Sequence, residues 1–515
     1  MEDKVVLGVA VAVLLLVISK LKSLLATKPK LNLPPGPWTL PLIGSLHHVV
    51  MSSPLIYRAM RDLARTHGPL MLLRLGEVPT LVVSSPAAAQ AVMKTHDITF
   101  ADRHLNATIG VLTFGGTDLV FGTYGERWRQ LRKIAVLELL SAARVQSFQR
   151  IREEEAARFM RSLAASASAS AGAAVNLTKM ISAFINDAFV RESIGSRCKY
   201  QDEYLDAFDT AVRQTSVLTL ADLFPSSRLM QALGTAPRKA LACRNRITRI
   251  LDQIIQEKKE AVERGDKSAH ESLVGVLLRL QKDASLPIPL TNDTIMALMF
   301  DLFGAGSDTS STTLNWSMAE LIRHPAAMAR AQAEVREAFK GKATITEDDL
   351  AMADLSYLKL VIKEALRLHC PLPLLLPRQC RETCQVMGYD IPKGTSVFIN
   401  VWAICRDPKY WEDAEEFMPE RFEKLSNLDY KGTNFEFLPF GAGRRMCPGA
   451  NLGVANIELA LASLLYHFDW ELPSGMGPKD VHVWEALGLI AKRKDGLVLH
   501  PVTRFAPGSD PANAY

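Results

Sequence analysis

The chain has 515 residues, 48% of them apolar and 22% charged, with a formal charge of +5. Length and apolar content describe a globular protein with a sizeable core, and 60 basic residues mixed with 55 acidic ones along the chain exclude a nucleic-acid signature. Seven cysteines, Cys198, Cys243, Cys370, Cys380, Cys384, Cys405 and Cys447, stand at irregular spacings. An odd, irregular set implies no disulfide framework and a reducing compartment, and a lone C-x3-C at Cys380 and Cys384 is too little for a structural metal.

In chain order, Val5 to Ile18 is an unbroken apolar run, extended by Leu21, Leu24 and Leu25. Glu2 and Asp3 stand before it with a single Lys4; Lys20, Lys22, Lys28 and Lys30 follow. A cleaved secretory signal has the opposite charge order. The run therefore predicts an uncleaved single-pass signal anchor over residues 1–28, suited to the thin endoplasmic-reticulum membrane, with the remainder cytosolic. Four sequons, at Asn106, Asn176, Asn292 and Asn315, are then expected to be unused. Pro34-Pro35-Gly36-Pro37 breaks any helix and predicts a stiff hinge over 29–40. One domain is expected over 41–506, because the motifs below are scattered from Trp128 to Cys447, and a disordered tail over 507–515.

Leu55 to His67 has helical periodicity, and Leu70 to Leu75 with Thr80 to Ser84 predict a hairpin. Pro86 to Lys94 reads as helix, Arg103 to Thr123 as a long loop, and Trp128 to about Arg144 as helix. Ala164 to Ala174 is all Ala, Ser and Gly, and predicts a linker. Helices with ordinary amphipathic patterning follow to Leu280, while Val217 to Phe224 is a short apolar piece bordering either a pocket or a membrane. From Thr291, an N-cap candidate, an apolar run leads into Ala305-Gly306-Ser307-Asp308-Thr309-Ser310 and on to about Ile322. A helix apolar almost all round is buried, so Asp308 and Thr309 in its middle need partners. Such inconsistency is expected at functional sites; the plainer alternative is a polar kink with Thr309 bonded back to an upstream carbonyl. Glu364 and Arg367 form an i,i+3 pair. Cys370 to Pro377 cannot be helical because of its prolines, and Gly388 to Asn400 predicts two strands turning at Lys393-Gly394.

Phe440-Gly-Ala-Gly-Arg-Arg-Met-Cys-Pro-Gly449 carries the chemistry. Its glycines permit close approach of a flat group to the backbone. Pro448 suits a first helical position, which would put Cys447 at an N-cap where the helix dipole favours a thiolate. This segment resembles the haem-binding signature of the cytochrome P-450 superfamily, in which cysteine ligates haem iron. Four separated motifs agree with the family in order and spacing.

The resemblance implies a mainly α fold with small β-sheets, the cytochrome P-450 fold, behind the anchor. It implies haem b held through Cys447, O2 as cosubstrate, and electrons from NADPH through a cytosol-facing NADPH–cytochrome reductase. Trp128, Arg132, Arg378 and Arg445 would reach the haem propionates, with Phe440 and Gly449 lining the cofactor site. Thr309 would hydrogen-bond dioxygen or a water, Asp308 would relay protons, and Gly306 would leave room for dioxygen. Glu364, Arg367 and Arg421 would form a buried structural triad. The implied pocket residues are Ile109, Leu112, Phe114, Leu298, Phe303, Ala305, Leu374, Leu375 and Leu487, which suit a lipophilic substrate. The wording from Leu31-Asn32-Leu33-Pro34 onward is similar to plant microsomal members, especially grass enzymes that oxidise diterpene or sesquiterpene hydrocarbons in defence metabolism. Two alternatives stand beside monooxygenation: a haem-thiolate isomerase or dehydratase, against which the intact Asp308-Thr309 speaks, and a non-catalytic haem carrier or gas sensor.

Overall fold

Leu70–Leu75 (β1) and Val78–Val83 (β2) pair antiparallel across a two-residue turn, with Gly76 at φ +63, a left-handed value that glycine adopts freely. In this computed structural model, which describes residues 31–169, 174–215 and 219–508, eight further strands follow. They are Asp102–Arg103 (β3), Val175–Asn176 (β4), Arg378–Gln379 (β5), Cys384–Val386 (β6), Tyr389–Ile391 (β7), Ser396–Ile399 (β8), Phe468–Glu471 (β9) and Val498–Thr503 (β10). They build sheets in the orders β1-β2-β8-β5-β3, β4-β10-β9 and β6-β7. The strand pair expected over Gly388 to Asn400 is corrected: β7 pairs back onto β6, whereas β8 runs parallel to β2 and antiparallel to β5. The turn through Gly394 exists, but it passes the chain from one sheet to another.

The expected anchor and the tail beyond 508 lie outside the described residues, and no described helix is long and apolar enough to cross a membrane. From residue 31 the proline-rich stretch lies along β1, where the Pro35 carbonyl accepts from the Leu72 N–H at 2.9 Å. A Cβ on Gly36 would collide with the Leu72 carbonyl.

Three sequence expectations change. Helix Gln149–Ala169 continues through most of the Ala/Ser stretch, because alanine is the strongest helix former and Ser166 and Ser168 donate back to the carbonyls of Ser162 and Ala164. The loop after Arg103 contains helix Ala107–Leu112, capped by Asn106 Oδ1 accepting from the Ile109 N–H at 2.7 Å. The helix starting near Trp128 runs Glu126–Ile134, widens to a π turn over Ala135–Leu139 and restarts at Ala142. Of the apolar piece near Phe224, Leu220–Leu223 is a helical turn seated on the β1–β2 turn, where the Leu223 carbonyl accepts from the Glu77 N–H. Residues 216–218 lie outside the described residues.

The central helix is Asn292–Arg323, capped as expected by Thr291 accepting from the Thr294 N–H. It crosses two cores. Ile295, Leu298, Leu302 and Phe303 pack in a mainly helical cluster with Ile250 and Ile254 of helix Ala236–Glu263. Leu314, Trp316, Met318 and Leu321 pack in a second cluster that includes the sheet residues Leu81, Val83 and Val397. The polar run from Ser307 to Thr313 falls at the seam between the two, and there a cavity opens.

Candidate active site

The cysteine loop closes on itself: the Cys447 N–H donates to the Phe440 carbonyl at 2.9 Å and the Met446 N–H to that of Gly443 at 3.0 Å. The following helix, Ala450–His467, starts with Gly449 as its N-cap. The expectation that Cys447 is the N-cap is therefore corrected; it precedes the helix, and Pro448 is not its first residue. The Cys447 side chain is exposed, yet to the cavity and not to the outside, so protein encloses it. Burial pushes its thiol up, opposed by the Gly449 N–H and the Arg132 charge; a metal cation would supply the balance that holds it as thiolate. Gly443 has a reason other than a flat ligand. At φ +66 its Cβ would strike the Met93 carbonyl and the Asp97 carboxylate.

Four arginines line this cavity: Arg103, Arg132, Arg378 and Arg445. Arg103 had no sequence signal. It donates to the Val120 carbonyl at 3.0 Å and that of Leu376 at 2.7 Å. Arg445 donates to the carbonyls of Ala101 (2.7 Å) and Gly122, and Arg378 to that of Ala442 (3.0 Å). Burial, then mutual repulsion, pulls Arg103 well below the usual guanidinium range and Arg445 down to about 9; burial takes Arg378 down to about 10, opposed by Asp97 at 3.5 Å. Arginine does not give up its proton at these positions, so the depression marks cations buried with too little countercharge around them. A dianionic cofactor edge relieves it. Trp128 also lines the cavity, but its indole N–H is committed to the Leu119 carbonyl at 2.9 Å, and its ring lies 4.2 Å from the Arg445 guanidinium. The indole thus stacks beneath Arg445, and the propionate bond expected of it would require its N–H to leave the Leu119 carbonyl. Phe440 and Gly449 lie on the cavity wall, and the whole donor set fits haem with a thiolate ligand.

On the central helix, Ala305, Gly306 and Thr309 face the cavity. Thr309 Oγ1 donates back to the Ala305 carbonyl at 2.6 Å, the plainer of its two expectations, which leaves its lone pairs free to accept. Asp308 faces away from the cavity and forms an ion pair with Lys492 at 2.8 Å. Nothing near Lys492 in sequence signals that role. A Cβ on Gly306 would strike the Phe189 ring, which adds a packing requirement at this cavity-lining position to the one expected from the sequence.

Of the expected pocket residues, Ala305 and Leu375 line the cavity, and Ile109, Leu112, Phe114, Leu298, Phe303, Leu374 and Leu487 do not. Leu298 is fully buried in the helical core, and Phe303 packs against Phe189 at 5.9 Å and Tyr204 at 5.1 Å. Ile109 and Leu112 are buried on the short helix that packs on Ala236–Glu263. Phe114 lies 4.4 Å from the Arg244 guanidinium, Leu374 joins the small cluster containing Met71, and Leu487 is 72% exposed.

Glu364, Arg367 and Arg421 come together in the core. Arg367 makes two parallel bonds to Glu364 (2.7 and 2.8 Å), and Arg421 reaches the same carboxylate at 3.0 Å. Glu364 and Arg367 are fully buried.

Residues 34–499 match the family model Cytochrome P450. The chain is 75% identical over 507 residues to dolabradiene monooxygenase of Zea mays, covering 98% of this chain and 99% of that one, and 74% identical, with the same coverage, to zealexin A1 synthase of Zea mays. It is 57% identical over 517 residues to ent-cassadiene hydroxylase of Oryza sativa subsp. japonica, covering 99% of each. A zebrafish cytochrome P450 solved with abiraterone has the same fold, with a TM-score of 0.71 and 26% identity over 87% of this chain and 99% of that one. A cysteine sulfur turned into a cavity ringed by guanidiniums and roofed by a threonine-bearing helix is what haem-thiolate oxygen chemistry needs, and with these likenesses the chain belongs to the cytochrome P450 family, as an oxygen-dependent monooxygenase fed by a redox partner.

Proposed function

We propose that the enzyme inserts oxygen into a terpene hydrocarbon, a diterpene or a sesquiterpene, in plant defence metabolism, and that it is held at the endoplasmic reticulum by its N-terminal anchor with the catalytic domain in the cytosol. The observation that carries the substrate class is the near-full-length likeness to dolabradiene monooxygenase and zealexin A1 synthase. Relatives named as monooxygenases and hydroxylases favour oxygen insertion over the isomerase, dehydratase and sensor alternatives.

In this reading Cys447 ligates the iron. Arg132, Arg378 and Arg445, with Arg103, hold the propionate edge, and Arg132 is well suited because no described side chain pairs with it. When bound, the haem supplies dioxygen activation; the protein supplies position and protons. With its hydroxyl hydrogen held by Ala305, Thr309 accepts a hydrogen bond from a water in the cavity. Asp308, next to Thr309 in sequence and tethered by Lys492, is the carboxylate through which protons arrive from outside. Glu364, Arg367 and Arg421 fix the segment beneath the cysteine loop.

The test is incubation of microsomes carrying the full chain, with reductase and NADPH, against diterpene and sesquiterpene hydrocarbons. Gain of one oxygen atom, dependent on NADPH, is the expected result. Turnover of non-terpenoid lipophiles with no product from either hydrocarbon class would overturn the substrate assignment.

A further inference from the structure

Two buried carboxyl groups beside the cofactor cavity have no part in the chemistry above. Asp301, two turns before Thr309 on the central helix, lines the cavity wall with Leu302. Its Oδ2 accepts from the N–H groups of Leu119 at 2.8 Å and Val120 at 3.1 Å. Asp118 is also buried and uses Oδ1 to accept from the Phe121 N–H at 2.8 Å. Its Oδ2 is buried with no donor in the protein, and the two carboxyl groups adjoin, since Asp301 holds the N–H groups of the two residues that follow Asp118. Two carboxylates cannot hydrogen-bond each other unless one carries a proton.

The segment these groups hold is the one the arginines grip from its other side. The Leu119 carbonyl accepts from Trp128 and, at 3.3 Å, from Arg445; the Val120 carbonyl accepts from Arg103; the Gly122 carbonyl accepts from Arg445. N–H groups of residues 119–121 thus point to carboxyls, and the carbonyls of residues 119, 120 and 122 to the cofactor-side cations. We propose that Asp118 and Asp301 are positioning residues that share a proton, forming a latch which seats residues 118–122 on the central helix and thereby sets the arginine cradle. The inference rests on that cradle holding the haem propionates.

The surroundings suit such a pair. Arg445 faces Asp118, as does Arg103 from β3; Tyr204, from helix Gln201–Thr215, faces Asp301. Burial, and then the neighbouring carboxyl, raises Asp301 far above the usual carboxylate range, and burial raises Asp118 in the same direction. Like charges this close disfavour double ionisation.

The experiment uses the full chain, haem-loaded, in detergent or nanodiscs. Amide hydrogen exchange over residues 118–122 is followed with pH alongside the thiolate band of the reduced carbon-monoxide complex, for wild type, D118N and D301L. In wild type, protection at Leu119 and Val120 should fall by tenfold or more on the alkaline side, as the last shared proton leaves, and the thiolate band should weaken in step. D118N keeps an N–H donor toward Asp301 but removes one titrating group, so it should hold protection flat over the same range. D301L should lose protection at all pH values. A D118N profile superimposable on wild type, or normal protection in D301L, would overturn the latch. Altered exchange in wild type with an unmoved thiolate band would show instead that the segment does not set the cradle. Because exchange is read without substrate, failure of the terpene assignment leaves this test intact.

Discussion

Arg367→Lys keeps the buried charge and removes the fork, which separates two explanations of the triad. The five N–H donors of Arg367 each have an acceptor: Nε and Nη2 on the two Glu364 oxygens (2.7 and 2.8 Å), Nη2 on the Glu416 carbonyl (3.0 Å), and Nη1 on the carbonyls of Cys405 and Ala414 (2.7 Å each). An ammonium has three donors on one atom. At least two of these bonds are therefore lost, and a hydrogen bond from a charged group contributes about 1.5–3 kcal/mol; because Glu364 Oε1 and the Glu416 carbonyl retain Arg421, Arg367→Lys should destabilise by about 2–6 kcal/mol. If net charge alone held the site, the change would be close to zero. Against a total stability of about 5–15 kcal/mol, the loss is easily read from chemical denaturation of the full chain. The cysteine loop should report it early. Arg367 lies 5.1 Å from the Trp411 ring, Trp411 packs edge-on against Phe437 at 6.3 Å, and Cys405 Sγ lies 3.7 Å from the Glu436 carbonyl. The thiolate band should thus be lost at lower denaturant than the far-ultraviolet helix signal. A midpoint within about 1 kcal/mol of wild type, with both signals unchanged, would refute the reasoning.

Cys447→Ser should abolish the thiolate band of the reduced carbon-monoxide complex and all NADPH-dependent product. Lys492→Met frees Asp308 and should lower product formed per NADPH consumed with a raised solvent isotope effect, as should Asp308→Asn; a normal coupling ratio in both would remove Asp308 from proton delivery. Gly306→Ala forces a Cβ into the Phe189 ring and should cost about 1–3 kcal/mol by overpacking, with a less than additive cost when combined with Phe189→Leu. His369, bonded to Glu320 at 2.7 Å and stacked on Trp316 at 3.8 Å, is held by burial below the usual imidazole range. The unfolded chain then binds more protons, so the stability this site provides is complete above about pH 6.5 and is lost as pH falls below it; Glu320, lowered chiefly by His369 against the effect of burial, acts in the same sense. Acid titration of the denaturation midpoint should be shallower in His369→Gln.

What the sequence made legible was local. Phe440 to Gly449 is contiguous, Glu364 and Arg367 are three apart on one helix, and the Thr291 cap announces the central helix. Contacts of long separation left no such trace. Lys492 and Asp308 are 184 residues apart, and neither Arg103 nor Asp118 stands in a pattern that marks it. Side-chain commitments were also invisible: spacing puts Trp128 and Arg132 on one face, but cannot say that the indole hydrogen is already taken by Leu119. The pocket shows a third kind of failure. Apolar periodicity identified Leu298 and Phe303 as buried residues, and they are, but burial against neighbouring helices and burial facing a cavity have the same signature in one sequence.

The middle of the central helix shows how these terms fit together. Gly304 and Gly306 look like weaknesses in a helix, each costing about 1 kcal/mol relative to alanine, yet the rings of Phe208 and Phe189 occupy the places where their side chains would stand. Thr309, Thr313, Asn315 and Ser317 sit in the interior, and each donates to the carbonyl four residues back, so none of these three hydroxyl hydrogens is stranded. The hydroxyl oxygens keep lone pairs that the helix does not use. One side of the segment is thus fixed by aromatic packing and the other presents acceptors to a cavity opposite Cys447. A substitution on the packed side should appear as lost stability, and one at Thr309 as lost coupling of electrons to product at nearly unchanged stability. If Thr309→Ala instead lowered stability as much as Gly306→Ala, that division of the helix would be wrong.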